Sequence, residues 1–177
     1  VSDIFDAQPP PKRFNITHPT HHHRNSRGNV SSNPVSMSTY NNASGGCCSP
    51  ESLILLDNQS YKLAQDISKG DKVITVDESY NNIISEVECV VIMECINNKT
   101  DLVELDNGLR ITPWHPIIDQ QRCCWNFPAR MGTTKKIECP AVYTFLIKNR
   151  KPIIVNDYIF ATLGHNLQGD VIEHPYY

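Results

Sequence analysis

The sequence lacks any long hydrophobic run. Its longest uninterrupted apolar stretch, Cys89-Val90-Val91-Ile92-Met93, is five residues, whereas a bilayer-spanning helix needs about 20. It also lacks a charged start followed by an apolar stretch and a small-residue cleavage site, so no signal peptide is expected within it. The chain opens on Val1 rather than Met, which leaves room for an upstream segment. Surplus charge of one sign is absent: 16 Lys and Arg stand against 19 Asp and Glu, a net charge of -3. That balance gives no electrostatic footprint for nucleic acid or an anionic membrane, and neither is expected as a partner. No C-x-x-C pair occurs, which removes the commonest zinc-ligand spacing. No stretch of eleven or more residues carries the 3.6-residue apolar period of an amphipathic helix.

What is present is a chain of 177 residues, 40% hydrophobic, enough for one domain and a tail. Composition changes at Gly45-Gly46. Residues 1–46 hold five of the twelve prolines, no cysteine, and four basic against two acidic residues, a net +2. Pro9-Pro10-Pro11, His21-His22-His23 and a Ser/Asn run cannot bury enough apolar surface to offset their ordering entropy. This part reads as a flexible linker or disordered tail. The histidine tract can bind a metal ion weakly, and equally fits a solvated tract. No cofactor is implied.

The following 131 residues, 47–177, carry 12 basic and 17 acidic side chains, a net -5, and read as the folded domain. Strand signals dominate it. Leu53–Leu56 and Tyr61–Leu63 flank Asp57-Asn58 as a hairpin, and Lys69-Gly70-Asp71 turns into Lys72–Val76. Val87–Met93 is a β-branched run. Leu102–Leu105 and Leu109–Thr112 flank Asn107-Gly108, a pair suited to a primed turn with φ > 0. Val142–Ile147, Ile153–Val155 and Tyr158–Ala161 complete the set. Short strands joined by turns predict an all-β domain.

The seven cysteines fall at 47, 48, 89, 95, 123, 124 and 139. Cys89, Cys95 and Cys139 read as core residues, and Cys124, Trp125 and Phe127 as loop packing. A disulfide-stapled domain is the alternative, and five N-x-S/T sequons arise too easily in an Asn-rich chain to decide the compartment. Thiol chemistry suits a reducing compartment, and localisation stays open with the cytoplasm favoured.

One thiol is placed differently. Cys47 opens the folded part and follows two glycines, so its thiolate can turn back on the Gly46 carbonyl. Attack there exchanges the peptide bond for a thioester. Water favours the amide, so the exchange needs a proton for the leaving amine and donors for the tetrahedral oxyanion. Thr112-Pro113-Trp114-His115 follows the hairpin directly, and Pro113 ends the ladder there. A histidine near its ordinary pKa can protonate the departing nitrogen, and a threonine hydroxyl can bond the scissile amide. Near the end lie Leu163-Gly164-His165-Asn166 and His174-Pro175-Tyr176-Tyr177. Each histidine alone also fits a structural role.

Together these segments resemble the Hint domains, the autoprocessing modules of hedgehog proteins and inteins. Gly46-Cys47-Cys48-Ser49-Pro50-Glu51-Ser52-Leu53-Ile54 is similar to the family's opening. Leu63 to Val73 resembles its next segment, turning at Gly70-Asp71, and Thr112-Pro113-Trp114-His115 matches its T-x-x-H motif. Leu163-Gly164-His165, Asp170 and His174-Pro175-Tyr176 resemble the eukaryotic branch found beside von Willebrand A domains. The resemblance implies a pseudo-twofold β horseshoe over 47–177 whose ends meet. It implies an N-to-S acyl shift at Cys47, assisted by Thr112 and His115, with His165 in the closing motif beside them and His174 a weaker candidate. The substrate would be the chain's own upstream polypeptide ending at Gly46, and the resemblance implies an upstream von Willebrand A-type domain. Water, a small thiol or another nucleophile would resolve the thioester, with no metal or organic cofactor.

The chain departs from the family pattern in two ways. Cys48 stands where an aromatic residue is frequent, and His165-Asn166 lies eleven residues before the end, so cleavage rather than full splicing is expected. Two other readings stand beside this one. The first is a catalytically silent β module working in protein–protein interaction. The second is a cysteine protease acting in trans, with Cys123-Cys124-Trp125 as nucleophile and His165-Asn166 as base and orienter.

Overall fold

A computed structural model of the protein describes residues 46–119 and 123–173. The sequence readings on residues 1–45 and on His174, Pro175, Tyr176 and Tyr177 lie outside the described residues. Twelve strands follow in order: β1 (Leu53–Leu55), β2 (Tyr61–Leu63), β3 (Lys72–Val76), β4 (Asn82–Glu94), β5 (Lys99–Glu104), β6 (Arg110–Ile111), β7 (Ile117–Ile118), β8 (Trp125–Asn126), β9 (Thr134–Glu138), β10 (Ala141–Ile147), β11 (Ile153–Val155) and β12 (Tyr158–Phe160). The helical elements among the described residues are three-residue 3-10 turns. The all-β expectation holds, and each strand expected from the sequence is present.

The strands form two sheets. One runs β10-β4-β3-β11-β12-β7-β8, with β1 paired to β11 and to β2; the other runs β6-β5-β9. β4 is the long member. Its first half pairs with β3, from Val76↔Asn82 to Lys72↔Glu86, and its second half with β10, from Ile147↔Val87 to Ala141↔Glu94. At the start of that second half the register slips, because Leu146 faces Cys89 while Ile147 faces Val87. Glu88 is thus an extra residue, a bulge that resets which side chains point inward. That corrects the reading of Cys89 as a core residue: it is exposed, and Val90 packs against the core instead. Cys95 is half-buried and Cys139 is buried.

The turns carry a second correction. Between β5 and β6, Gly108 has φ +74° but Asn107 does not have positive φ, so the turn is not the primed type expected. The Gly108 amide donates to the Leu105 carbonyl at 2.9 Å, and Asp106 is the added loop residue that makes this a three-residue connection. The primed turn occurs elsewhere, at Asn156-Asp157 between β11 and β12, where φ is 45° and 65°. Asn156 then ties the hairpin into the fold. Its Oδ1 accepts from the Leu53 amide at 2.8 Å and its Nδ2 donates to the Asn107 carbonyl at 2.9 Å. β7, β8 and β9 were not expected from the sequence. The first two are only two residues long, and β9 (Thr-Lys-Lys-Ile-Glu) reads as a charged segment.

The main core gathers Cys48, Ile54, Val73, Ile111, Phe145, Ile153 and Phe160. Burying each large side chain contributes roughly 1.5–3 kcal/mol. The opening of the domain lies between the two sheets. Cys48 bridges Ile111 of β6 on one side and Tyr143 of β10 on the other. At the other end of β10, Leu146 bridges Leu163, whose amide donates to the Phe145 carbonyl at 2.9 Å. β10 therefore joins the opening and the closing segments of the domain.

Candidate active site at the Gly46–Cys47 peptide bond

Cys47 is held by β6 and its extension. The Thr112 amide donates to the Cys47 carbonyl at 2.9 Å, and the Cys47 amide donates to Thr112 Oγ1, also at 2.9 Å. In a regular antiparallel pair that second bond would go to the Thr112 carbonyl. Here that carbonyl instead accepts from the His115 amide at 3.3 Å, closing the turn around Pro113. The hydroxyl takes the place the carbonyl has left. Thr112 is buried, as are Gly46 and Cys47.

Adjacent strand residues point to opposite faces, so the two neighbouring thiols diverge. Cys48 enters the main core, where its Sγ lies 3.6 Å from the Tyr143 carbonyl oxygen. Burial pushes its pKa up to about 12, with a Ser52 hydrogen bond opposing. Cys47 faces the other way, beside Leu102, Cys139 and Val142. Burial pushes its thiol up further, and the neighbouring Cys48 and Cys95 thiols add to this.

His115 is fully buried and stacks on Phe160, with ring centroids 3.7 Å apart and planes 25° from parallel. Burial lowers its pKa to about 3, so the ring is neutral at neutral pH. Hydrogen bonds to the backbone at Gly46 and Ala161 oppose the shift. His165 adds an electrostatic push in the lowering direction, so it lies within electrostatic reach of His115. His165 is itself buried and its pKa is lowered by that burial; its Nδ1 accepts from the Leu167 amide at 3.2 Å.

The structure thus brings Cys47, Thr112, His115 and His165 into one buried region. It leaves Cys124 out. That thiol is exposed, and it and Cys123 lie beside Tyr80, which packs with Trp125 on the second core cluster. All seven cysteines are free thiols. Among the described residues no group of three or more His, Cys, Asp or Glu side chains is gathered to hold a metal ion, and no helix is long and apolar enough to cross a membrane. Sequence reasoning missed Phe160, which was visible only as a strand residue and which stacks on His115.

Comparison with known proteins fits this geometry. A family model described as Vint, a Hint domain, matches residues 46–177. No curated protein sequence matches the chain. Among solved structures it is similar to the DnaB intein of Synechocystis sp. PCC 6803, at 15% identity and TM-score 0.51, over 67% of this chain and 99% of that one. It is similar to the Ssp DnaB mini-intein variant M86 at 13% identity and TM-score 0.53, over 68% and 97%. It is also similar to the bacterial intein-like domain of Clostridium thermocellum at 15% identity and TM-score 0.51, over 66% and 97%. At these identities the solved structures speak for the fold, and the family match speaks for descent. The chain belongs to the Hint-domain family, in the group designated Vint, and carries a domain of the self-processing class.

Proposed function

We propose that residues 47–177 perform an N-to-S acyl shift at the Gly46–Cys47 bond and release or transfer the segment 1–46 with whatever precedes it. The observation that carries this reading is that both sides of one peptide bond are held by different side chains. Thr112 Oγ1 accepts the Cys47 N–H, and the His115 ring bonds the Gly46 backbone.

The proton and electron bookkeeping is simple. Cys47 Sγ adds to the Gly46 carbonyl carbon, and the carbonyl electrons move to oxygen. A His115 N–H turned toward that oxygen holds the developing charge. The carbon–nitrogen bond then breaks, and the thiol proton ends on the Cys47 amine. The buried imidazole is neutral, so it can carry that proton between the two atoms without any outside acid or base. His165, within electrostatic reach of His115, activates the nucleophile that resolves the thioester. Water would give cleavage, while an amine, hydroxyl or thiol on another molecule would receive the upstream segment. The resemblance in the closing motif points to a von Willebrand A-type domain as that upstream cargo.

One observation favours the second reading, a catalytically silent Hint-fold module. Burial raises the Cys47 thiol, which holds it in its protonated, unreactive form. Intact-mass measurement of the full chain over time, with and without dithiothreitol or hydroxylamine, separates the two. New ends at Gly46 and Cys47 support the acyl shift; a chain that stays whole under both reagents supports the silent module.

A further inference from the structure

Thr144 lies in the middle of β10, fully buried, and its Oγ1 has no hydrogen-bond partner among the described residues. A hydroxyl in that condition carries a desolvation penalty, and native folds rarely keep one without a use. The register says what it faces. Cys48 and Tyr143 exchange both backbone bonds, at 2.9 and 2.8 Å. The next pair along an antiparallel ladder is therefore Cys47 opposite Thr144, of the type without backbone bonds, where side chains stand closest. Facing residues share one side of the sheet, with Cβ atoms about 4.5–5.5 Å apart. The burial pattern agrees, since Val142, on the same face of β10 as Thr144, packs against Cys47.

Cys47 is thus flanked by a threonine on each neighbouring strand. Thr112 serves its amide nitrogen, while Thr144 faces its side chain. We propose that the Thr144 hydroxyl is the hydrogen-bond donor to Cys47 Sγ as that sulfur gives up its proton. The proposal rests on the acyl-shift reading above and adds a residue to it. The proton leaves sulfur for the His115 imidazole, and the Thr144 O–H turns to the sulfur lone pair without itself ionising. No bond of Thr144 breaks. Rotation about its Cα–Cβ bond suffices, because threonine populates more than one staggered position. A donor on a thiolate favours the charged form, and Cys47 is a thiol that burial otherwise drives toward the neutral one.

The test uses the full chain, with release of 1–46 by dithiothreitol followed by mass spectrometry from pH 6 to pH 10. T144V keeps the shape and removes the hydroxyl; T144S keeps the hydroxyl. The expected result is that T144V melts cooperatively, cleaves about tenfold more slowly at neutral pH, and has its pH–rate curve displaced upward by about one unit, while T144S follows the wild type. A packing role would lower the rate of both without moving the curve. Wild-type rate and profile in T144V, or a T144S as slow as T144V, overturns the inference and leaves the acyl shift standing. A wild-type chain that stays whole overturns both. Should T144V fold poorly, T144A tests the same hydroxyl by the displacement of the curve alone.

Discussion

The Cys47 amide gives its hydrogen bond to the side chain of Thr112 rather than to its backbone, at 2.9 Å. A hydroxyl standing in for a carbonyl at the first residue of a domain leaves the amide held by a group that can be removed by mutation. T112V is expected to strand a buried N–H and to lower stability by about 1–3 kcal/mol. T112S is expected to lose far less. Urea denaturation of the pair checks this, and equal losses in both would assign the effect to packing.

The two adjacent thiols are expected to separate cleanly. C47A should keep the fold and abolish thiol-induced cleavage. C48A should cleave at the same bond but lose about 1–2 kcal/mol, because Cys48 belongs to the main core. Mass spectrometry of both variants with dithiothreitol, beside their melting curves, decides it. Cleavage persisting in C47A would move the nucleophile elsewhere.

His115 makes stability depend on pH. A free imidazole titrates near 6.5 and the buried ring near 3. Above 6.5 the ring is neutral in both folded and unfolded chains, and the stability from this group is fully present. Between the two values the unfolded chain takes up a proton that the folded chain does not. Stability is therefore lost as pH falls, by about 1.4 kcal/mol per unit, or about 2 kcal/mol from pH 6.5 to 5. His165 shifts in the same direction. H115Q should flatten this part of the profile. Denaturation at a series of pH values measures it, and an unchanged slope in H115Q would clear the ring of responsibility.

Asn156 is expected to matter more than its place in a turn suggests. Its side chain satisfies the Leu53 amide and the Asn107 carbonyl at once. N156A should leave both without their side-chain partner and put an alanine at positive φ, for a loss of about 2–4 kcal/mol. Thermal or urea unfolding provides the number, and a loss below about 0.5 kcal/mol would show that water replaces the amide.

How far the sequence could be read depended on the range of the interaction. β3, β10, β11 and β12 announce themselves, because β-branched and aromatic runs bounded by turn residues are local signals. So is the Thr112–His115 spacing, which one turn enforces. Cys89 was misread because the Glu88 bulge is set by how β4 pairs with β10, and a strand's own residues do not state its partner's register. β7 and β8 were too short to leave a period. Thr144 was illegible for a related reason: its importance comes from standing opposite Cys47, 97 residues earlier in the chain. The pKa directions were hidden too. The sequence reading started from an ordinary histidine, and only burial against Phe160 shows the ring to be neutral.

β10 is flanked at one end by Cys48 and at the other by Leu163. A chain emerging from the ribosome cannot complete that arrangement until residue 163 has been synthesised and has left the exit tunnel. Everything ahead of Gly46 has by then had the whole translation time of the domain to fold. Under the proposed acyl shift the upstream segment would be released only after that time, with the length of the downstream domain acting as the timer.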